Sequence, residues 1–384
     1  MEAYLDNSAT TRCSDAAAQM MMEVLTGDYG NPSSLHGKGK VAEDYIVDAR
    51  KKIAKTLKVQ DKEITFTSGG TESNNLALIG AARANRRAGR HIITTFIEHA
   101  SVSAPLRYLG ENGYEVLYMP VDHDGLLDVD ALIDAVRDDT ILVSIIHVNN
   151  EIGAIQPIEE IGRRLKEKNP NTIFHVDAIQ SYGKLRISPK RANVDLLSVS
   201  GHKIHGPKGS GFLYIKDKTK IVPVLLGGGQ QKGMRSGTEN VPAIAGLGVA
   251  AEEIYTDFDQ KIERMYALRD QFIIDAQAIE GVSINGRTDH TNAPHIVSVS
   301  VDGVRAEVLL HALEDKGVYV SAGSACSSNK PSVSHTLRAI GLPQNLLDST
   351  VRFSFCVHTT EEEIDYALEV MREIIPMLRR YIRR

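Results

Sequence analysis

The chain has 384 residues, 42% hydrophobic and 24% charged, with a formal net charge of -5, an ordinary globular balance that excludes a basic nucleic-acid-binding surface. Three cysteines give no disulfide framework, and no apolar run approaches the roughly 20 residues that cross a bilayer. A reducing, cytoplasmic compartment without a membrane partner is therefore expected.

The opening stretch, Met1 to Asp6, has neither the basic nor the apolar region of a signal peptide. Tyr4-Leu-Asp-Asn-Ser-Ala-Thr-Thr11 reads as an irregular arm lying near other elements. Residues 16–25 have helical spacing, 29–37 are a loop by their Gly, Pro and Ser, and 40–57 read as an amphipathic helix. An alternation then begins. Strands are expected at 63–67, 91–96, 115–120, 140–148 and 172–177, and around Leu196 and Phe212. Helices are expected at 71–87, 101–109, 128–137 and 157–168. Strands alternating with helices of this length mean βαβ units, so the expected fold is α/β, with a mainly parallel seven-stranded sheet flanked by helices. Consecutive apolar residues in these strands fit burial on both faces.

Residues 225–248 are glycine-rich, 243–255 are helical, and 258–279 form a long amphipathic helix. Beyond it the pattern changes to a smaller α+β unit, with strands at 295–301, 318–321 and 351–355 and helices at 305–316, 333–340 and 360–382. The length exceeds what one core usually fills. Two domains follow: a large cofactor-binding domain at 15–256, and a small domain made of 1–14 and 257–384.

One stretch concentrates unusual chemistry. Ser198-Val-Ser-Gly-His-Lys-Ile-His-Gly-Pro-Lys-Gly209 follows an apolar strand and packs two His, two Lys and three Gly into twelve residues. It places Lys203 just past a strand's carboxyl end, where open α/β sheets bind ligands. At an earlier strand-to-helix junction, Thr67-Ser-Gly-Gly-Thr71 offers free backbone N–H groups at a helix start, which suits a phosphate. It lacks the Gly-Lys-[Ser/Thr] ending of a Walker A loop, and an ordinary capped helix would read the same way. Glu98-His99, Asn149-Asn-Glu151 and Asp177 each follow or close a strand; alone, each is more often a turn residue or a helix cap. Together with Lys203 they converge on one cleft. An anion cradle, a carboxylate, an imidazole and a lysine suit pyridoxal 5′-phosphate, a phosphorylated aldehyde on a protonatable ring. In the second unit, Cys326 lies among Ser and Gly in Gly323-Ser-Ala-Cys-Ser-Ser328, which favours an exposed, reactive thiol. Cys356, within an apolar strand, reads as structural, and Cys13 has no assignment. Arg352 in that strand needs a carboxylate or phosphate partner.

With these motifs in order, the chain resembles the cysteine desulfurases of the nitrogen-fixation and iron–sulfur-cluster type, within the class V, fold-type I pyridoxal-phosphate enzymes. The resemblance runs from Tyr4 to Ile364. It rests on Thr67-Ser-Gly-Gly-Thr-Glu-Ser-Asn-Asn75, His147-Val-Asn-Asn-Glu151, His175-Val-Asp-Ala178, Ser200-Gly-His-Lys203 and Ser324-Ala-Cys326. It implies that Lys203 binds the cofactor as a Schiff base, Asp177 pairs with the ring nitrogen, and His99 stacks on the ring and transfers protons. Gly70, Thr71, Ser200 and His202 would hold the phosphate. Gln180 and Asn150 would face the ring oxygen or the substrate. Arg352 would clamp the substrate's α-carboxylate. Thr238 would reach the phosphate in a neighbouring subunit, giving a homodimer with shared active sites. Cys326 would take sulfur from L-cysteine as a persulfide, leaving alanine, and pass it to an acceptor protein, either an iron–sulfur scaffold or a sulfur carrier. Gly70 departs from the family pattern, in which Ala is common there. Three other readings are a selenocysteine lyase, an aminotransferase-like member of the class, and a catalytically dead sulfur-carrier adaptor. Cys326 speaks against the aminotransferase. Retention of Lys203, Asp177, His99 and Cys326 speaks against the adaptor. No metal is implied.

Overall fold

The computed structural model describes residues 1–322 and 334–380. Among these, thirteen strands are found in chain order: β1 (Ala3–Tyr4), β2 (Ile64–Thr67), β3 (His91–Thr95), β4 (Glu115–Met119), β5 (Thr140–Ile146), β6 (Ile173–Asp177), β7 (Leu196–Ser200), β8 (Gly211–Ile215), β9 (Val282–Asn285), β10 (Ile296–Val301), β11 (Val318–Tyr319), β12 (Ser321–Ala322) and β13 (Thr350–Ser354). The large sheet has seven strands in the order β2-β8-β7-β6-β5-β3-β4. β8 is antiparallel to both β2 and β7, and the other pairings are parallel. With only β8 reversed, the carboxyl ends of β2, β3, β5, β6 and β7 fall along one edge. Open sheets of this kind bind ligands at that edge.

Helices cover both faces of this sheet because its central strands have no polar face to turn outward. Every residue of β5 is buried. Successive residues enter opposite cores: Ile92, Leu142 and Leu196 pack with the helices Gly70–Asn85 and Ala100–Glu111. Their neighbours Ile93, Val143 and Leu197 pack with Gly37–Leu57, Ile158–Lys168 and Val241–Tyr255. Several helix starts are written locally. Ser14 accepts from Ala17 N–H at 3.2 Å, Asp128 from Ala131 N–H at 3.1 Å and Asn240 from Ala243 N–H at 3.2 Å, each satisfying a donor with no partner inside its helix.

The second sheet runs β12-β13-β10-β9, all antiparallel, and β1 pairs in parallel with β11. It has its own core, in which Phe272, Val299, Phe353, Phe355 and Met371 join strands to the helices Phe258–Gln277 and Glu361–Arg380. Several elements differ from the sequence reading, three of them in ways that bear on the sheets and their helices. β9 is a short edge strand, half exposed along its length, so it carries no continuous apolar run. The single strand expected at 318–321 is split at Val320, and its halves join different sheets. The helix expected at 128–137 ends at Asp134. Among the described residues, no helix is long and apolar enough to cross a membrane.

Candidate active site

The edge of the large sheet opens into a cavity of about 250 Å³. At its β2 side, Gly69 has φ 146°, a conformation closed to side chains, and Gly70 begins the following helix. A Cβ on Gly70 would lie 2.2 Å from Ile179 Cδ1, so only glycine leaves that approach clear without Ile179 moving. Glu72 fastens this turn: Ser68 N–H donates to its Oε2 at 2.8 Å, and Arg235 Nε donates to its Oε1 at 2.7 Å. Thr71 lines the cavity beside Ser200 and His202. Burial, then the nearby Lys203 and Lys208, pull His202 down to about 4, so it is neutral. Its Nδ1 is hydrogen-bonded to Thr10 Oγ1 at 3.2 Å.

Asp177 ends β6 and is 1% exposed. Its Oδ2 accepts from Asn74 Nδ2 at 2.9 Å and its Oδ1 from Ile179 N–H at 3.0 Å. Burial pushes its carboxyl up, against the pull of the Ile179 N–H, His99, Asn74 and Lys203. A cationic partner within the cavity would relieve that burial. His99 caps the helix Ala100–Glu111, with Nδ1 accepting from Ser101 N–H at 3.1 Å. The neutral ring therefore carries its proton on Nε2. Burial holds it neutral, although Asp177 opposes this. Lys203 ends a single 3₁₀ turn after β7. Its Nζ donates to Ser8 O, and to Ala9 O at 2.7 Å.

Asn150 and Gln180 complete the wall. One Gln180 amide hydrogen is given to Ser8 O at 2.9 Å, and its Oε1 meets His295 Nε2 at 3.3 Å. Arg352 lies behind Asn150 in β13, donating from Nη1 to Asn150 O at 2.8 Å and from Nη2 to Asp6 Oδ1 at 3.0 Å. Thr238 is exposed on the loop after Arg235 and does not line this cavity. Cys326 lies outside the described residues. The residues flanking that stretch are tied to the site. Ser321 pairs with Arg352 across β12 and β13. Ser334 donates its hydroxyl to Glu151 Oε2 at 2.6 Å, and His335 Nε2 is 3.0 Å from Glu98 O. Cys356 is buried, but it lies two residues beyond the end of β13 and not within the strand as expected.

The family described as Aminotransferase class-V matches residues 3–367. The chain belongs to the class-V aminotransferase family. Among its relatives, the cysteine desulfurase IscS of Dictyoglomus turgidum is 44% identical over 379 residues, covering 98% of this chain and 95% of its own. The cysteine desulfurase IscS of Methanosarcina thermophila is 45% identical over 376 residues, covering 98% of this chain and 92% of its own. A solved structure titled as a NifS-like protein superposes with a TM-score of 0.93 at 39% identity, covering 98% of this chain and all of the other. Class-V aminotransferases use pyridoxal phosphate, and the residues present fit it. The glycine turn at Gly69-Gly70 leaves room against a helix N-terminus, the buried carboxylate of Asp177 lines the cavity, and Lys203 lines it too.

The arm at 3–11 is the part of this class-V site that the side-chain pattern missed. It reaches the cavity mainly through the carbonyls of Ser8 and Ala9, which any residue supplies. Asn74 and Ser101, which steady Asp177 and His99, also escaped notice, though both fall in the first turns of helices already placed. Lys184 is buried and donates to Lys203 O. Burial draws its amine down to about 7.

Proposed function

We propose that this chain is a pyridoxal-phosphate-dependent cysteine desulfurase that converts L-cysteine to L-alanine and a persulfide on Cys326. The observation that carries this reading is the convergence of Lys203, Asp177, His99 and the Gly70–Thr71 helix start on one cavity, in a chain whose relatives are named cysteine desulfurases. When bound, the cofactor supplies an aldehyde for amine exchange and an electron sink. Lys203 would hold it covalently, Gly70, Thr71, Ser200 and His202 its phosphate, and Asp177 its ring nitrogen. Asn150 and Gln180 would meet its ring oxygen or the amino acid.

Arg352 then binds the α-carboxylate, and Lys203 and the Nε2 of His99 hold and return the protons that carbon chemistry requires. Cys326 acts as a thiolate. Its sulfur forms an S–S bond to the cysteine sulfur as the C–S bond breaks. The electron pair of that bond stays with carbon, which is protonated to give alanine. The persulfide passes to a protein acceptor, for iron–sulfur assembly or another sulfur route, in the cytoplasm. A homodimer in which Thr238 serves the neighbouring subunit's phosphate agrees with the exposure of that residue. Separate cores support a cofactor-binding unit at 15–256 and a second unit at 1–14 and 257–384.

The test is incubation of the purified protein with L-cysteine, measuring alanine and sulfide. Cys326→Ala should abolish turnover, and Lys203→Ala should abolish the visible absorbance of the lysine-bound cofactor. Full turnover by Cys326→Ala would refute the persulfide route.

A further inference from the structure

Arg352 is 7% exposed, yet its guanidinium is incompletely used. Nη1 and Nη2 donate to Asn150 O and to one oxygen of Asp6, while the buried Nε has no acceptor among the described residues. A guanidinium fork matches a carboxylate through two parallel hydrogen bonds. Asp6 takes only one, so the fork keeps a donor that Asp6 does not satisfy. A buried donor in that state is destabilising.

Asp6 itself is poised to give way. Its backbone is pinned: it bridges to Ser354, Ala9 N–H donates to its carbonyl at 3.0 Å, and Asn7 N–H donates to Ser354 O at 3.2 Å. Its side chain is held by the hydrogen-bonded ion pair with Arg352, and it keeps 21% of its surface in solvent. Burial opposes its ionisation while Arg352 and Lys203 favour it. It therefore depends on Arg352 more than a solvated carboxylate would. Two and three residues further on, Ser8 O and Ala9 O accept from Lys203 Nζ. One short segment thus neutralises or solvates both cations of the site.

We propose that Asp6 is a built-in competitor for the substrate's α-carboxylate: it occupies the charge of Arg352 until an amino acid arrives, then yields the fork to it. This rests on the reading of Arg352 as the carboxylate clamp. Two carboxylates facing one guanidinium repel each other, so amino-acid binding is weaker than the bare arginine would give, and alanine leaves more readily.

The test uses holoenzyme of Asp6→Asn, which keeps the shape, and Asp6→Ala, which does not. Both lose the charge. Binding of L-alanine is measured by equilibrium dialysis, and KM for L-cysteine by alanine production. Both variants should bind alanine about tenfold more tightly, with KM lowered in the same sense. Unchanged or weaker alanine binding in a variant that retains cofactor absorbance would overturn the proposal. Arg352→Ala separates the two levels. If it leaves alanine binding intact, the clamp reading falls and the proposal with it. If it weakens binding while Asp6→Asn fails to tighten it, only the role of Asp6 falls. A tighter Asp6→Asn beside a weaker Arg352→Ala supports both.

Discussion

Glu98 is fully buried one residue before His99, and its behaviour can be worked through to a number. Oε1 accepts from Thr95 Oγ1 at 2.7 Å and from Ile146 N–H at 3.0 Å, while Oε2 has no partner among the described residues. Burial, only partly offset by those two donors, pushes its carboxyl up to about 8. An acid whose folded value lies above its unfolded value stabilises the fold fully below the unfolded value. That contribution is lost as pH rises from about 4.5 through about 8. At about 1.36 kcal/mol per pH unit the loss has a ceiling of about 5 kcal/mol, which local water entry would reduce. Glu98→Gln fixes the side chain in a neutral form and keeps the oxygen that Thr95 and Ile146 address. An unfolding entropy of roughly 2.1 cal/mol/K per residue gives roughly 0.8 kcal/mol/K for 384 residues. The ceiling then corresponds to about 6 °C in Tm. Calorimetric unfolding of both proteins at pH 5, 7 and 9 should give a small difference at pH 5 and a growing advantage for the variant toward pH 9. His202 and His147, both drawn down to about 4, titrate in both proteins and cancel in the comparison. A difference that stays flat with pH, or that turns against the variant at pH 9, would show that Glu98 is ionised in the folded protein and would refute the reasoning.

Two further outcomes follow from the same geometry. Asn74→Ala removes a donor from Asp177 Oδ2; with hydrogen bonds to charged groups contributing about 1.5–3 kcal/mol, apo protein titrated with pyridoxal phosphate should bind it roughly ten- to a hundredfold more weakly, and unchanged affinity would detach Asp177 from the ring. Lys184→Met replaces a buried amine drawn down to about 7; because the folded value lies below the unfolded one, wild type gains stability as pH rises from about 7 to about 10, so the variant's relative advantage in urea unfolding should be greatest below pH 7 and shrink above it.

The architecture was readable where one rule governed. β5 and β6 are buried on both faces, so their apolar runs announced them, and the residues that follow such strands fall on one sheet edge by topology alone. Lys203, Asp177 and His99 could be brought to one cleft on that basis before any contact was known. The misses share a cause. β9 packs one edge lightly and carries no run. Val320 breaks a strand because its flanks pair with different partners, which local spacing does not encode. The arm at 3–11 acts through carbonyls, and Asp6 through a partner 346 residues away. Such pairings depend on the completed tertiary structure and leave no period in the sequence.

That separation has a consequence for biosynthesis. Asn7 and Ser354, whose hydrogen bonds hold the arm, are 347 residues apart. At 5–20 residues per second, roughly 20–70 s pass between their emergence from the ribosome. Throughout that interval the large sheet can form and Lys203 can take its place, but the strand that pins the arm does not yet exist. Lys203 reaches its final surroundings only after β13 is made. Maturation of the site is thereby postponed to the end of translation, so a truncated nascent chain would not offer a finished site to free cofactor.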